Sequence, residues 1–68
     1  MEAITELTTL QVGNKIHAPK LKKDFILADY KYDETFKEMI ANLAPIDKID
    51  NGFTIRFSDL IKLEYLVY

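Results

Sequence analysis

Asp33-Glu34-Thr35-Phe36-Lys37-Glu38-Met39-Ile40-Ala41-Asn42-Leu43-Ala44-Pro45 is the stretch on which the fold turns. Phe36, Ile40 and Leu43 recur at i, i+4 and i+7, joined by Met39 and Ala44, while Glu34, Lys37, Glu38 and Asn42 face outward. Asp33 offers its carboxylate to the free amides of a first helical turn and suits the positive end of the dipole, an effect to which Glu34 adds. Pro45 ends the element, because the residue before a proline is pushed out of the helical region. The spacing predicts a helix over 33–44.

Immediately before it, Phe25-Ile26-Leu27-Ala28 is an apolar run that passes into the alternating Asp29-Tyr30-Lys31-Tyr32. That pattern fits a strand over 24–32, buried on both faces at its start and on one at its end. Ala18-Pro19-Lys20 leaves the sheet or sits at its edge, since proline has no amide to donate. Further back, Leu10-Gln11-Val12-Gly13-Asn14-Lys15-Ile16 reads as two strand ends around a Gly13-Asn14 turn. This gives a hairpin over 7–18, with a helix over 3–12 as the competitor because Ile4, Leu7 and Leu10 recur at three-residue spacing.

On the other side, Asp50-Asn51-Gly52 is the strongest hairpin signal in the chain, as Asn-Gly tolerates the positive φ angles of a tight turn. It predicts a hairpin over 46–57, with Phe53, Ile55 and Phe57 on one face and Thr54 and Arg56 on the other. Residues 59–67 admit a helix capped by Ser58 or Asp59, or an edge strand, and the helix is preferred. The fold expected is α+β: a small antiparallel sheet packed on one central helix, in a single domain over residues 1–68.

Composition bounds the function. Sixty-eight residues, 49% apolar and 29% charged with a net charge of −2, suit a small folded domain rather than a disordered tail. With no cysteine and one histidine, His17, neither a disulfide framework nor a zinc site is expected, and self-association is the remaining means of reinforcing a thin core. No apolar run approaches a membrane span, and Met1 to Glu6 lacks the pattern of a signal peptide, so a cytoplasmic protein is expected. No cofactor is expected either.

Most motifs reduce to bland readings. Asp47 to Gly52 has the spacing of the first half of a calcium loop, but Ile49 and Ser58 stand where ligands are needed. Gly52-Phe53-Thr54-Ile55-Arg56-Phe57 echoes an RNA-binding strand yet lacks its leading basic residue, so a core strand is expected. Catalysis finds no support, because His17 has no carboxylate within six residues and two isolated glycines make no phosphate loop. A minimal enzyme would require His17 to meet a carboxylate in space.

Two surfaces remain. Residues 7–23 carry four positive charges and no acid, in a chain of isoelectric point about 5.2 with one arginine, Arg56. Lys15, His17, Lys20, Lys22 and Lys23 are the candidates for contact with a polyanion. Tyr65, Leu66, Val67 and Tyr68, with Tyr30 and Tyr32, are the candidates for a protein partner, since tyrosine gives large contact area at low entropic cost. The function expected is that of a small non-enzymatic interaction or regulatory protein, of the kind that serves as a bacterial or phage accessory or inhibitor protein. It docks on a protein partner near residues 65–68 and forms a homo-oligomer, without metal or membrane. The alternative is a nucleic-acid-binding regulator using Lys15 to Lys23.

Overall fold

The computed structural model describes residues 1–6, 10–47 and 52–68. In chain order the elements are β1 (Glu2–Ala3), β2 (Lys15–Ala18), β3 (Lys23–Asp33), β4 (Glu38–Pro45), β5 (Phe53–Arg56), α1 (Phe57–Lys62) and β6 (Leu66–Val67). Among the described residues the six strands form one open antiparallel sheet in the order β1-β6-β2-β3-β4-β5. The protein is therefore mostly β, with one short helix.

The helix expected over 33–44 is a hairpin turn followed by β4. Asp33 does accept a backbone amide, but it is that of Thr35 at 2.9 Å, two residues on, which closes an Asx turn. The same carboxylate chemistry serves both a helix cap and a tight turn, so the signal at Asp33 was ambiguous. Pairs of Asp33 with Glu38 and Ala18 with Lys23 enclose loops of equal length, 34–37 and 19–22. Each loop ends on a lysine with φ 55, Lys37 and Lys22.

Beyond that turn, period two replaces period 3.6. Ala41 and Leu43 are buried in the core, while Ile40 and Asn42 take the opposite face. Strand β4 pairs with β3 on one side and β5 on the other, so a helix here would leave both neighbours without a ladder. Tertiary pairing overrides the helix preference of Glu, Met, Ala and Leu.

The strand expected over 24–32 is present as β3, with a bulge at Ala28 where the register shifts between Leu27 and Asp29. The hairpin expected over 7–18 is not formed as such. Both edges of β2 are occupied, by β3 and β6. The Gly13-Asn14 turn is displaced by one residue: Asn14 N–H bonds the Gln11 carbonyl at 3.0 Å, with Gly13 at φ 99 in the third position. Leu7, Thr8 and Thr9 lie outside the described residues, as do Lys48 to Asn51 and with them most of the Asp50-Asn51-Gly52 turn. Strand β5 takes its partners from Ile40–Leu43 of β4, so among the described residues the hairpin is β4–β5.

Residues 57–67 contain both of the alternatives weighed for them, a helix and then a strand. The strand is internal, between β1 and β2, and not at an edge. The chain leaves β5, crosses one face of the sheet as α1, and inserts β6 on the far side. Ile4, Leu10, Ile16, Phe25, Leu27, Leu43, Leu60 and Tyr65 form the core under that face. Phe25 and Phe53 meet edge to face there, with ring centres 5.1 Å apart.

Candidate functional site

Strands β6, β2 and β3 lie side by side, and their open face carries a polar cluster centred on Asp24. His17 is the direct cross-strand neighbour of Asp24, and its Nδ1 lies 2.8 Å from Oδ1. Tyr68, which follows β6, donates its hydroxyl to the same oxygen at 2.8 Å. Lys15 Nζ stands 3.9 Å from Oδ2 and 4.4 Å from the centre of the Tyr68 ring. The bonds from His17 and Tyr68, helped by the Lys15 charge, hold the Asp24 carboxyl below its ordinary value. The bond to Asp24, with some desolvation, pushes the Tyr68 phenol up.

This cluster joins two residues of the basic segment to an acid that sequence reasoning had not linked to them. His17 does meet a carboxylate in space, seven positions along the chain. The signal was available in principle: Lys15, His17 and Asp24 fall on one face once β2 and β3 are paired in register, but register is not legible from composition. Among the described residues Asp24 is the sole hydrogen-bond partner of the His17 ring. No hydroxyl or thiol of the described residues hydrogen-bonds the imidazole, and Asp24 acts as a tie between strands. An open depression of about 370 Å³ beside it is lined by Lys15, Lys23, Asp24, Pro45, Ile46 and Asp47.

The other polyanion candidates stand apart from the cluster. Lys20 and Lys22 occupy the 19–22 loop and Lys23 opens β3, all exposed. None of the three has an ion-pair partner among the described residues.

The candidate partner surface divides in two. Tyr65 is 5% exposed and belongs to the core, with burial pushing its phenol up. Leu66 and Val67 are half-buried inside the sheet, and only Tyr68 is openly exposed, at 53%. The apolar run 65–68 is thus largely spent on the fold itself. Tyr30 and Tyr32 are different, at 36% and 57% exposure on the distal half of β3.

That distal half forms an arm. Strand β2 pairs with β3 only over Lys23–Ile26, and Leu27 then exchanges bonds with Gly13 (2.8 Å) and Asn14 (2.9 Å). From Asp29 to Asp33 no described residue pairs with that edge. Because Leu27 aims both its backbone groups away from β4, its pair with Leu43 is unbonded. The alternation along β4 then makes Asn42, Ile40 and Glu38 the bonded positions. The N–H and C=O groups of Tyr30 and Tyr32 consequently point out of the free edge. At the tip, Phe36 is exposed with the Arg56 guanidinium 5.1 Å from its ring centre.

Compared with protein families, with curated proteins and with solved structures, the chain matches none.

Proposed function

We propose that this chain is a small non-enzymatic interaction protein that docks on a protein partner through the β3–β4 arm, in the cytoplasm and without a cofactor. The carrying observation is the edge of β3 between Asp29 and Asp33, which pairs with no described residue and where backbone donors and acceptors are flanked by exposed Tyr30 and Tyr32. An edge of this kind adds a strand from another chain, with backbone bonds for affinity and the aromatic rings for contact area. Against catalysis stands the Asp24 cluster, in which no hydroxyl or thiol of the described residues hydrogen-bonds the His17 ring.

A photo-crosslinking residue in place of Tyr32, compared with the same residue in place of Lys20, tests the reading in cells of the source organism. A discrete adduct from position 32, much weaker from position 20, is the expected result. Equal or absent adducts from position 32 overturn it.

A second reading keeps the nucleic-acid alternative on a narrower base. Lys20, Lys22 and Lys23 crowd one corner of the sheet without ion-pair partners among the described residues, whereas Lys15 and His17 are engaged by Asp24.

A further inference from the structure

We infer that the occupant of the free β3 edge is a second copy of this chain, paired antiparallel about a twofold axis through Tyr32. The inference rests on the reading of the arm as the docking element and names its partner.

Charge and clearance select both the occupant and the register. Asp29, Lys31 and Asp33 alternate with Tyr30 and Tyr32, so the segment reads the same in both directions as acid, tyrosine, base, tyrosine, acid. Pairing about Lys31 sets lysine against lysine and Asp29 against Asp33, which repels. A shift of one residue, to an axis on either tyrosine, sets Lys31 against an aspartate twice. The axis on Tyr30 places Asp33 of the second copy beside Leu27, whose backbone groups are already taken by Gly13 and Asn14. Its 34–37 loop would then overlie β2. With the axis on Tyr32, Asp33 of the second copy faces Lys31, and Glu34 and Thr35 of its loop fall opposite Tyr30 and Asp29, two residues short of Leu27, whose edge the 11–14 turn occupies.

In that register the two Tyr32 residues exchange both backbone bonds, since their N–H and C=O groups point out of the edge. Their rings lie on one face as a cross-strand aromatic pair, extended on each side by Met39, the β4 neighbour of Tyr32. Arrangement about a twofold is the commonest form of self-association, and it closes this edge on both copies at once.

Light scattering after size exclusion, over a concentration series of the full chain, tests it with three variants. The wild type is expected at twice 7.9 kDa. Lys31→Asp and Asp33→Lys each turn two attractions into repulsions and are expected to weaken the dimer about tenfold or more. The double exchange Lys31→Asp with Asp33→Lys restores it. Asp33→Lys loses the Thr35 turn bond both alone and in the pair, so restoration reads the charge pairing; circular dichroism confirms that each variant is folded. A wild type that stays monomeric at millimolar concentration, or a dimer indifferent to Lys31→Asp, overturns the inference. A crosslink from position 32 to a different chain, with a monomer in solution, overturns the self-pairing while the docking role of the arm stands.

Discussion

Tyr68 donates its hydroxyl to the Asp24 carboxylate at 2.8 Å, across the intervening strand β2. The contact fastens the end of β6 to β3, and His17 and Lys15 of β2 fill the span between them. A two-residue strand such as β6 has few ladder bonds of its own, so side chains that bridge its neighbours count for more than their number suggests.

This tie makes stability fall at both ends of the pH scale. The folded carboxyl of Asp24 lies below its ordinary 3.8, so the unfolded chain takes up the proton first. Its contribution is complete above about pH 4 and is lost as pH falls through the folded value. The folded Tyr68 phenol lies above its ordinary 10.0, so its contribution is complete below that pH and is lost as pH rises through the folded value. Urea titrations across pH are expected to show Asp24→Asn flattening the acid limb and Tyr68→Phe flattening the alkaline limb. Tyr65, raised by burial, keeps part of the alkaline limb in both variants. An unchanged acid limb in Asp24→Asn would show that the tie contributes nothing.

Glu64 offers a gain in stability. Helix α1 ends in a Schellman turn, with Tyr65 N–H on the Leu60 carbonyl at 2.9 Å and Glu64 N–H on the Ile61 carbonyl at 3.0 Å. Glu64 takes the left-handed position at φ 60, where glycine is the favoured residue. Relief of the left-handed cost, less the extra chain entropy of glycine, leaves Glu64→Gly more stable by about 0.5–1 kcal/mol. Thermal unfolding that shows a loss instead would mean the Glu64 side chain holds a contact of its own.

How much of this was legible in the sequence follows from the kind of signal each element gives. Strand β3 was readable as a strand from its apolar run and alternation, but its burial was not. Only Phe25 and Leu27 are buried and Ala28 to Tyr32 are all exposed, because what covers each face depends on the neighbouring elements. The alternate facing of Phe53 and Ile55 against Thr54 and Arg56 was likewise readable from alternation. Residues 33–44 misled because Phe36, Ile40 and Leu43 satisfy a helical stripe while Ala41 and Leu43 satisfy a strand face, and only the neighbours β3 and β5 decide between them. The helix that does form, Phe57–Lys62, ends without the glycine that would announce it. The Asp24 cluster depends on register, and the free edge of β3 on how far β2 extends, and neither quantity is local.

Gly52 is required by a close approach. A Cβ at this position would run into the backbone carbonyl oxygen of Leu43, which is held in the centre of β4 and cannot swing aside. Gly52→Ala is therefore expected to destabilise the protein by about 1–3 kcal/mol, the usual cost of forcing a methyl into occupied space. Gly13 is the control: although its φ is 99, nothing stands near its missing Cβ. Gly13→Ala carries only the conformational cost of about 1–2 kcal/mol. Equal chemical-denaturation profiles for Gly52→Ala and wild type would place the 52–53 backbone farther from β4.

The lysine corner sets an upper bound on nucleic-acid binding through the basic segment. With Lys15 and His17 drawn to Asp24, the cations of that segment left for phosphate are Lys20, Lys22 and Lys23. Three phosphate contacts give a slope of log affinity against log salt of about −2.7 on duplex DNA, and weak binding at physiological salt. Fluorescence anisotropy of a labelled duplex, titrated from low to moderate salt, is expected to show a slope no steeper than this. Changing Lys20, Lys22 and Lys23 together to Glu is expected to abolish whatever binding exists, while Lys15→Glu leaves the slope unchanged. A steeper slope, or a large effect of Lys15→Glu, would mean that the Asp24 cluster opens to release its cations and that the basic segment acts as one surface.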